Sequence, residues 1–220
     1  MIRARKRFGQ HFLEPAWVAK VIRAIDPQPD DVFLEIGPGR GALTRPLAER
    51  ARSIAAVEID RDLAADLSIS APPNVTVLEG DFLETSDFRL QTSDFRVVGN
   101  LPYNVASPIL IRLRDLRAGG LGIRDATVML QREVADRLTA VPGTRDYGVL
   151  SVLLGHTARM ERVLALPPGA FRPAPKVHSA LVRLTYHAPE PAVRDAAAFE
   201  RLVRSVFTRR RKTLANAMRA

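Results

Sequence analysis

An α/β fold, with helices on both faces of a mostly parallel sheet, follows from three features of this 220-residue sequence. Short apolar runs rich in Val and Ile recur along the chain. Amphipathic helical patterns separate them, and a Gly-rich turn stands where the first run gives way to a helix. Residues 15–25 carry the first helical pattern, and Val32-Phe33-Leu34-Glu35-Ile36 reads as the first strand of the alternating series. Helices follow near 42–51, 61–68, 105–117 and 131–139, interleaved with strands near 54–59, 75–79, 96–99 and 126–130. Strands near 149–160 and 179–186 close the series with only a Pro-rich stretch, 166–175, between them. A hairpin-like ending of this kind predicts an antiparallel edge on the sheet.

Ala188-Pro189-Glu190-Pro191 reads as a linker. Beyond it Phe199, Leu202, Val203, Val206, Phe207 and Leu214 recur at helical spacing, with Arg201, Arg204 and Arg211 mostly off that stripe. The expected organisation is a main domain over 1–187 and a basic helical segment over 192–220. The pentapeptide Thr-Ser-Asp-Phe-Arg occurs twice, at 85–89 and 92–96. Two copies make no solenoid, and the reading is a duplicated surface loop before a strand.

Composition excludes several classes. Hydrophobic residues make up 46% and charged residues 26%, an ordinary globular mixture. With no Cys there is no disulfide framework, thiolate metal site or Cys nucleophile. No apolar run approaches the length of a membrane span, and no apolar stretch follows the basic start, so a cytoplasmic location and no membrane partner are expected. The net charge of +9 is unevenly placed. Arg3, Arg5, Lys6 and Arg7 open the chain, and Arg201, Arg204, Arg209, Arg210, Arg211, Lys212 and Arg219 fall in its last twenty residues. All the acids lie between these ends, so the whole excess sits at the termini. Solvated tails are the plain reading; a polyanion touching both ends is the functional one, with nucleic acid the natural candidate.

The chemistry-bearing residues fall at strand ends. Glu35-Ile36-Gly37-Pro38-Gly39-Arg40-Gly41 closes the first strand and opens a helix, where glycines let a ligand approach the backbone. Glu58, ending the second strand, is placed to accept hydrogen bonds from two ribose hydroxyls. A dinucleotide fold and an S-adenosylmethionine (AdoMet) fold both fit. Ala42 stands where the dinucleotide fingerprint has its third Gly, which tilts the choice towards AdoMet. Asp81 and Phe82 end the third strand, an acid for an adenine amine and a ring for the base. Each taken singly reads more simply as a helix N-cap and a core residue.

Asn100-Leu101-Pro102-Tyr103 decides the matter. The N6 of adenine is a poor nucleophile because its lone pair is delocalised into the ring. An Asn side-chain carbonyl and a backbone carbonyl of this turn accept its two N–H bonds, which favours a pyramidal nitrogen aimed at a methyl sulfonium. Pro102 stiffens the turn and Tyr103 offers a face for a flipped base, worth roughly 1–3 kcal/mol. No strong base is needed, so catalysis is mainly positioning and electrostatics.

With these residues assembled, the chain closely resembles the small-subunit (16S) rRNA adenine N6,N6-dimethyltransferases, the KsgA family. The resemblance is carried in order by Arg5–Leu13, Glu35–Gly41, Glu58-Ile59-Asp60, Gly80-Asp81-Phe82 and Gly99–Asn104. It continues through Leu130–Val134, Tyr147-Gly148 with Leu150-Ser151-Val152, Phe171–Ser179 and Arg210–Leu214. It implies a Rossmann-like class I AdoMet-dependent methyltransferase sheet followed by the beginning of a small helical C-terminal domain. It implies His11 and Leu13 against AdoMet, Gly37 on its methionine portion, Glu58 on the ribose and Asp81 on the adenine amine. Asn100 then touches both cofactor and target nitrogen, Leu101 belongs to the same catalytic turn, and Tyr103 and Phe171 sandwich the target adenine. The implied reaction dimethylates two adjacent adenosines near the 3′ end of small-subunit rRNA, within an immature 30S particle during ribosome assembly. Arg5, Lys6, Arg7, Arg209, Arg210, Arg211 and Lys212 are the expected RNA contacts, and a monomer suffices.

The chain departs from the family pattern at His11, where many relatives carry Asn, at His178, where many carry Asp, and at Arg209, where Gln is common. The family normally continues for several more helices after the Arg-Arg-Lys run, so the chain reads as shortened or naturally minimal, with rRNA recognition affected. Three rival readings compete with this one. A macrolide-resistance methyltransferase of large-subunit rRNA typically has Ile at Leu101 and lacks the 147–152 pattern. A non-catalytic assembly factor would be supported by loss of Asn100, Tyr103 or the glycines. A dehydrogenase is discounted by the glycine spacing.

Overall fold

In the computed structural model, which describes residues 10–90, 92 and 94–209, the chain opens with β1 (Phe12–Leu13) and α1 (Pro15–Ile25). There follow β2 (Val32–Ile36), α2 (Thr44–Ala48), β3 (Ser53–Glu58), α3 (Arg61–Ser70), β4 (Val75–Glu79), β5 (Phe95–Asn100) and α4 (Ala106–Ala118). The second half comprises β6 (Ile123–Gln131), α5 (Arg132–Leu138), α6 (Val149–Gly155), β7 (Ala158–Leu166), β8 (Phe171–Arg172), β9 (Ser179–Tyr186) and α7 (Ala196–Thr208). Seven strands form one sheet in the order β4-β3-β2-β5-β6-β9-β7, and β1 pairs with β8 in a separate ribbon. From β4 to β6 all pairings are parallel; β9 runs against both β6 and β7. The reversal expected at the sheet's edge is present, with the reversed strand one place in from the outermost.

Each strand of the sheet's centre is covered on both faces. All five residues of β2 are buried, as a parallel strand between helical layers requires. Leu34 and Ile36 join Leu110 and Leu113 of α4 in one core, while Phe33 joins Val21, Ile22 and Ile25 of α1 in the other. Alternate residues of one strand therefore feed different layers. Local chemistry sets the helix ends. Pro15 stands in the first turn of α1, and the Asp60 and Asp195 carboxylates accept backbone N–H bonds as N-caps of α3 and α7.

A buried ion network ties α1 to the sheet. Arg96 on β5 pairs with Asp31 and Asp125, both at 2.8 Å, and donates to the terminal carbonyls of α1 at Ile25 (2.8 Å) and Asp26 (3.1 Å). A cation at a helix C-terminus meets the negative end of its dipole. Every fork of the guanidinium is used, which is what makes so buried a charge tolerable.

Three expectations are corrected. The run 149–160 is not one strand: its first half is α6 and only Ala158 onward is β7. A short continuous apolar run does not reveal its period, and here Gly148 and Ser151 tip it into a helix. The Gly148 N–H donates to Ser151 Oγ (3.1 Å), and Ser151 Oγ donates to the Arg137 carbonyl (2.5 Å). The repeated pentapeptide is likewise no pair of equivalent surface loops. Phe88 and Phe95 are both buried, but the second copy runs into β5, where its Arg96 is the network's centre, while Arg89 is exposed at φ 51°. The helix expected at 42–51 is shorter, Thr44–Ala48.

The segment beyond the linker packs back on the domain. Phe199 of α7 lies against the His156 ring (4.7 Å), Phe207 against Tyr147 (5.9 Å), and Glu200 pairs with Arg114 of α4. Among the described residues, no helix is long and apolar enough to cross a membrane.

Candidate active site

The parallel strand order reverses between β2 and β5, and a cavity opens there at the strands' C-terminal ends, where open α/β sheets bind ligands. Its lining comes from five places: residues 10–13, the end of β2 with the turn after it, the end of β3, Asn100–Tyr103 at and after the end of β5, and Met129 of β6. Gly41 turns the chain at φ 77°, and a Cβ there would meet Leu67 Cδ1 at 2.8 Å. Gly99 is required for a different reason. A Cβ on it would sit 2.6 Å from the Ile36 carbonyl, so only Gly lets β5 deliver Asn100 this close to β2.

Two acids face this cavity. Glu58 accepts the N–H of Gly39 at 2.8 Å and of Asp60 at 2.9 Å, so the end of β3 holds the glycine turn in shape. Burial raises its pKa against those bonds. Glu35 is buried in the middle of the apolar lining, and among the described residues nothing bonds its Oε2. Burial pushes its pKa up to about 7, and the Glu58 carboxylate adds to the effect. Glu35 belongs to the Glu35–Gly41 motif, yet the motif alone assigns it no role. The signal was there: a lone acid in an otherwise apolar strand, directly before the glycines.

Residues 10–13 form a strap across the opening. β1 pairs with β8, Gln10 donates to Asp60 (3.1 Å), and the Phe12 ring carries the Arg40 guanidinium at 4.1 Å. The His11 ring stacks on Tyr103 with centroids 5.5 Å apart, and its Nδ1 lies 2.7 Å from the Pro173 carbonyl. Asn100 Nδ2 donates to the His11 carbonyl at 2.6 Å. The Tyr103 hydroxyl shares a hydrogen bond with Ser179 Oγ (2.6 Å), and burial raises its pKa.

Of the residues singled out from sequence, His11, Leu13, Gly37, Glu58, Asn100, Leu101 and Tyr103 all line the cavity. Leu101 has a buried side chain and its N–H bonds the Met129 carbonyl (3.2 Å), so it reaches the site through its backbone. Phe171, expected to sandwich the base opposite Tyr103, does not line the cavity. It is fully buried in the core beside Leu13, its register partner, because the β1–β8 ribbon covers it. Asp81 does not line the cavity; its carboxylate accepts the Leu83 N–H at 2.8 Å and so closes the turn that follows β4. Phe82 stacks on Phe88 in the core. Arg209 ends α7, while Arg5, Lys6, Arg7, Arg210, Arg211 and Lys212 lie outside the described residues.

A mostly parallel seven-stranded sheet with its Gly-rich turn and acids at the switch point defines the protein as a class I AdoMet-dependent methyltransferase fold. Comparison with known proteins narrows the class. The family model for ribosomal RNA adenine dimethylase matches residues 1–220, and the chain belongs to that family. It is 50% identical over 220 residues to the ribosomal RNA small subunit methyltransferase A of Aromatoleum aromaticum, covering 99% of this chain and 82% of that one. Among solved structures it is similar to a dimethyladenosine transferase from Plasmodium falciparum, with TM-score 0.78 and 27% identity over 96% of this chain and 75% of that one. It is also similar to the 23S rRNA methyltransferase ErmE, with TM-score 0.73 and 31% identity over 94% and 83% of the two chains.

Proposed function

We propose that the protein transfers methyl groups from AdoMet to the N6 of two adjacent adenosines near the 3′ end of small-subunit rRNA, as a soluble cytoplasmic monomer acting on an immature 30S particle. The observation that carries the reading is the Asn100–Tyr103 turn, set at the end of β5 beside the glycine turn and facing the same cavity. The residues present fit the cofactor. Glu35 offers an unbonded buried carboxylate oxygen to a methionine ammonium, Gly37 and Leu13 supply close backbone and apolar wall, and Glu58 on the same cavity wall is the acid for the ribose hydroxyls. When bound, AdoMet supplies a methyl group on a sulfonium, activated for displacement.

The chain's own residues do the rest. Asn100 Oδ1 and the Leu101 carbonyl accept the two N6–H bonds and draw the lone pair out of conjugation. Tyr103 stacks on the extruded base, its ring held by the bond to Ser179. Phe171 supports this wall from within the core rather than by direct stacking. Asp81 Oδ1 keeps the Leu83 N–H, and its other carboxylate oxygen is the one for an adenine amine. The terminal basic residues, Arg5 to Arg7 and Arg209 to Lys212, supply sequence-independent grip on phosphates.

Methyl transfer from labelled AdoMet into immature small subunits and, in parallel, into large-subunit rRNA, followed by nuclease digestion, tests the reading. N6,N6-dimethyladenosine in the small-subunit rRNA is expected. Label found only in large-subunit rRNA would replace this reading with the one the ErmE likeness favours, and label in neither would refute both.

A further inference from the structure

A carboxamide has two ends of nearly the same shape and opposite hydrogen-bonding sense. Turned by half a revolution, Asn100 would offer the target amine a donor and repel it. Something must hold the amide one way round. Asn100 Nδ2 lies 2.6 Å from the His11 backbone carbonyl, and a carbonyl oxygen only accepts, so the nitrogen must face it. Oδ1 is then the end left for the target, and among the described residues nothing donates to it.

The carbonyl is itself held. His11 immediately precedes β1, whose register is fixed against Phe171 and Arg172. Its Nδ1 lies 2.7 Å from the Pro173 carbonyl and therefore carries the proton, which it does in both the neutral and the charged imidazole. Its ring rests on Tyr103. We propose that His11 is a positioning residue: its imidazole anchors the strap to Pro173, and its carbonyl orients the Asn100 amide so that Oδ1 accepts from the target nitrogen. The proposal rests on the methyl-transfer reading above. It makes the strap part of the acceptor geometry, and not only a cover for the cofactor.

The test is Asn100→Asp, compared with wild type across pH at saturating AdoMet and immature small subunits. A carboxylate has no donor for the His11 carbonyl; the protonated acid has one, with its other oxygen free to accept. At pH 8.5 kcat should fall at least about 100-fold. The variant-to-wild-type kcat ratio should then rise about tenfold for each pH unit lowered, down to the pKa of the introduced carboxyl. A ratio that is flat, or that rises with pH, overturns the proposal. In parallel, His11→Ala should lower kcat about tenfold or more, and His11→Asn, whose Nδ2 lies near the position of the imidazole Nδ1, should recover most of the loss. Equal losses in both variants, or wild-type kcat in His11→Ala, overturn it too.

A measurement on the wild-type protein stands apart from folding of any variant. Magnetic resonance should show a coupling across the hydrogen bond between Asn100 Nδ2 and the His11 carbonyl carbon. Its absence overturns the proposal. Failure of the wild type to make N6,N6-dimethyladenosine would instead remove the methyl-transfer reading, leaving the coupling to report on the amide alone.

Discussion

Glu35 is the only polar side chain in β2, and its burial has a sign that can be measured. Its pKa is raised from 4.5 to about 7, so the folded state holds the proton where the unfolded chain has released it. Stability from this group therefore falls as pH climbs between those values, by about 3 kcal/mol in total. Glu35→Gln should melt several degrees higher than wild type at pH 8, and the difference should vanish near pH 4.5; a constant difference would refute the assignment. A cationic ammonium docking on Glu35 would pull its pKa back down. AdoMet binding at pH 7 should then release protons, so that the calorimetric heat varies with the buffer's ionisation enthalpy. Identical heats in phosphate and Tris would place the ammonium elsewhere. Tyr103 answers to a different assay: Tyr103→Ala should cost roughly ten- to a hundredfold in kcat/KM for RNA, as expected for losing about 1–3 kcal/mol of stacking, while AdoMet affinity holds. Sequence reasoning found most of this lining because strand-end residues announce themselves. It did not show that Phe171 is buried, since an aromatic in a Pro-rich stretch looks exposed until β1 is known to cover it. It left Asp81 open between cap and ligand, two roles that use the same carboxylate.

At the scale of elements, the joint between α1 and the sheet depends on one cation. Arg96→Met would leave Asp31 and Asp125 buried without their shared partner, a loss of about 3–5 kcal/mol. Urea melts at pH 7 should show it. Burial raises the Asp31 pKa, but the Gln28 N–H, Arg96 and Arg124 outweigh that and hold it below the usual range. Its contribution is present above the unfolded pKa and fades in acid as pH falls through the folded one, so the gap between variant and wild type should narrow there. This network was not legible: Arg96 reads as the last letter of a repeat, and only the pairing of β5 with β6 brings Asp125 beside it. The parallel strands were legible because each is a compact apolar run bounded by turns. The stretch 149–160 was not, because Val, Leu and Ser in continuous sequence satisfy a helix and a strand equally well until Gly148 and Ser151 find their partners.

For the whole molecule, charge distribution is the property the sequence displays most openly. Residues between the two ends are close to balanced, so long-range attraction to RNA depends on the termini. Replacing Arg209, Arg210 and Arg211 by Ala should weaken RNA association and flatten its dependence on salt, roughly in proportion to the phosphate contacts removed. An unchanged slope in filter binding from 50 to 200 mM salt would show that this run touches no phosphate. Arg209 sits at the end of a helix that packs on the domain through Phe199, Phe207 and Glu200, so that charge is carried on a fixed support. The β1–β8 ribbon has a consequence in time. Phe12 leaves the ribosome well before its partner Arg172 during synthesis. A nascent chain can build β2, β3 and the glycine turn and still have no roof over the cavity. Until the ribbon closes, the proposed hold of the His11 carbonyl on the Asn100 amide is not in place, so methyl transfer is expected to appear only after this late step.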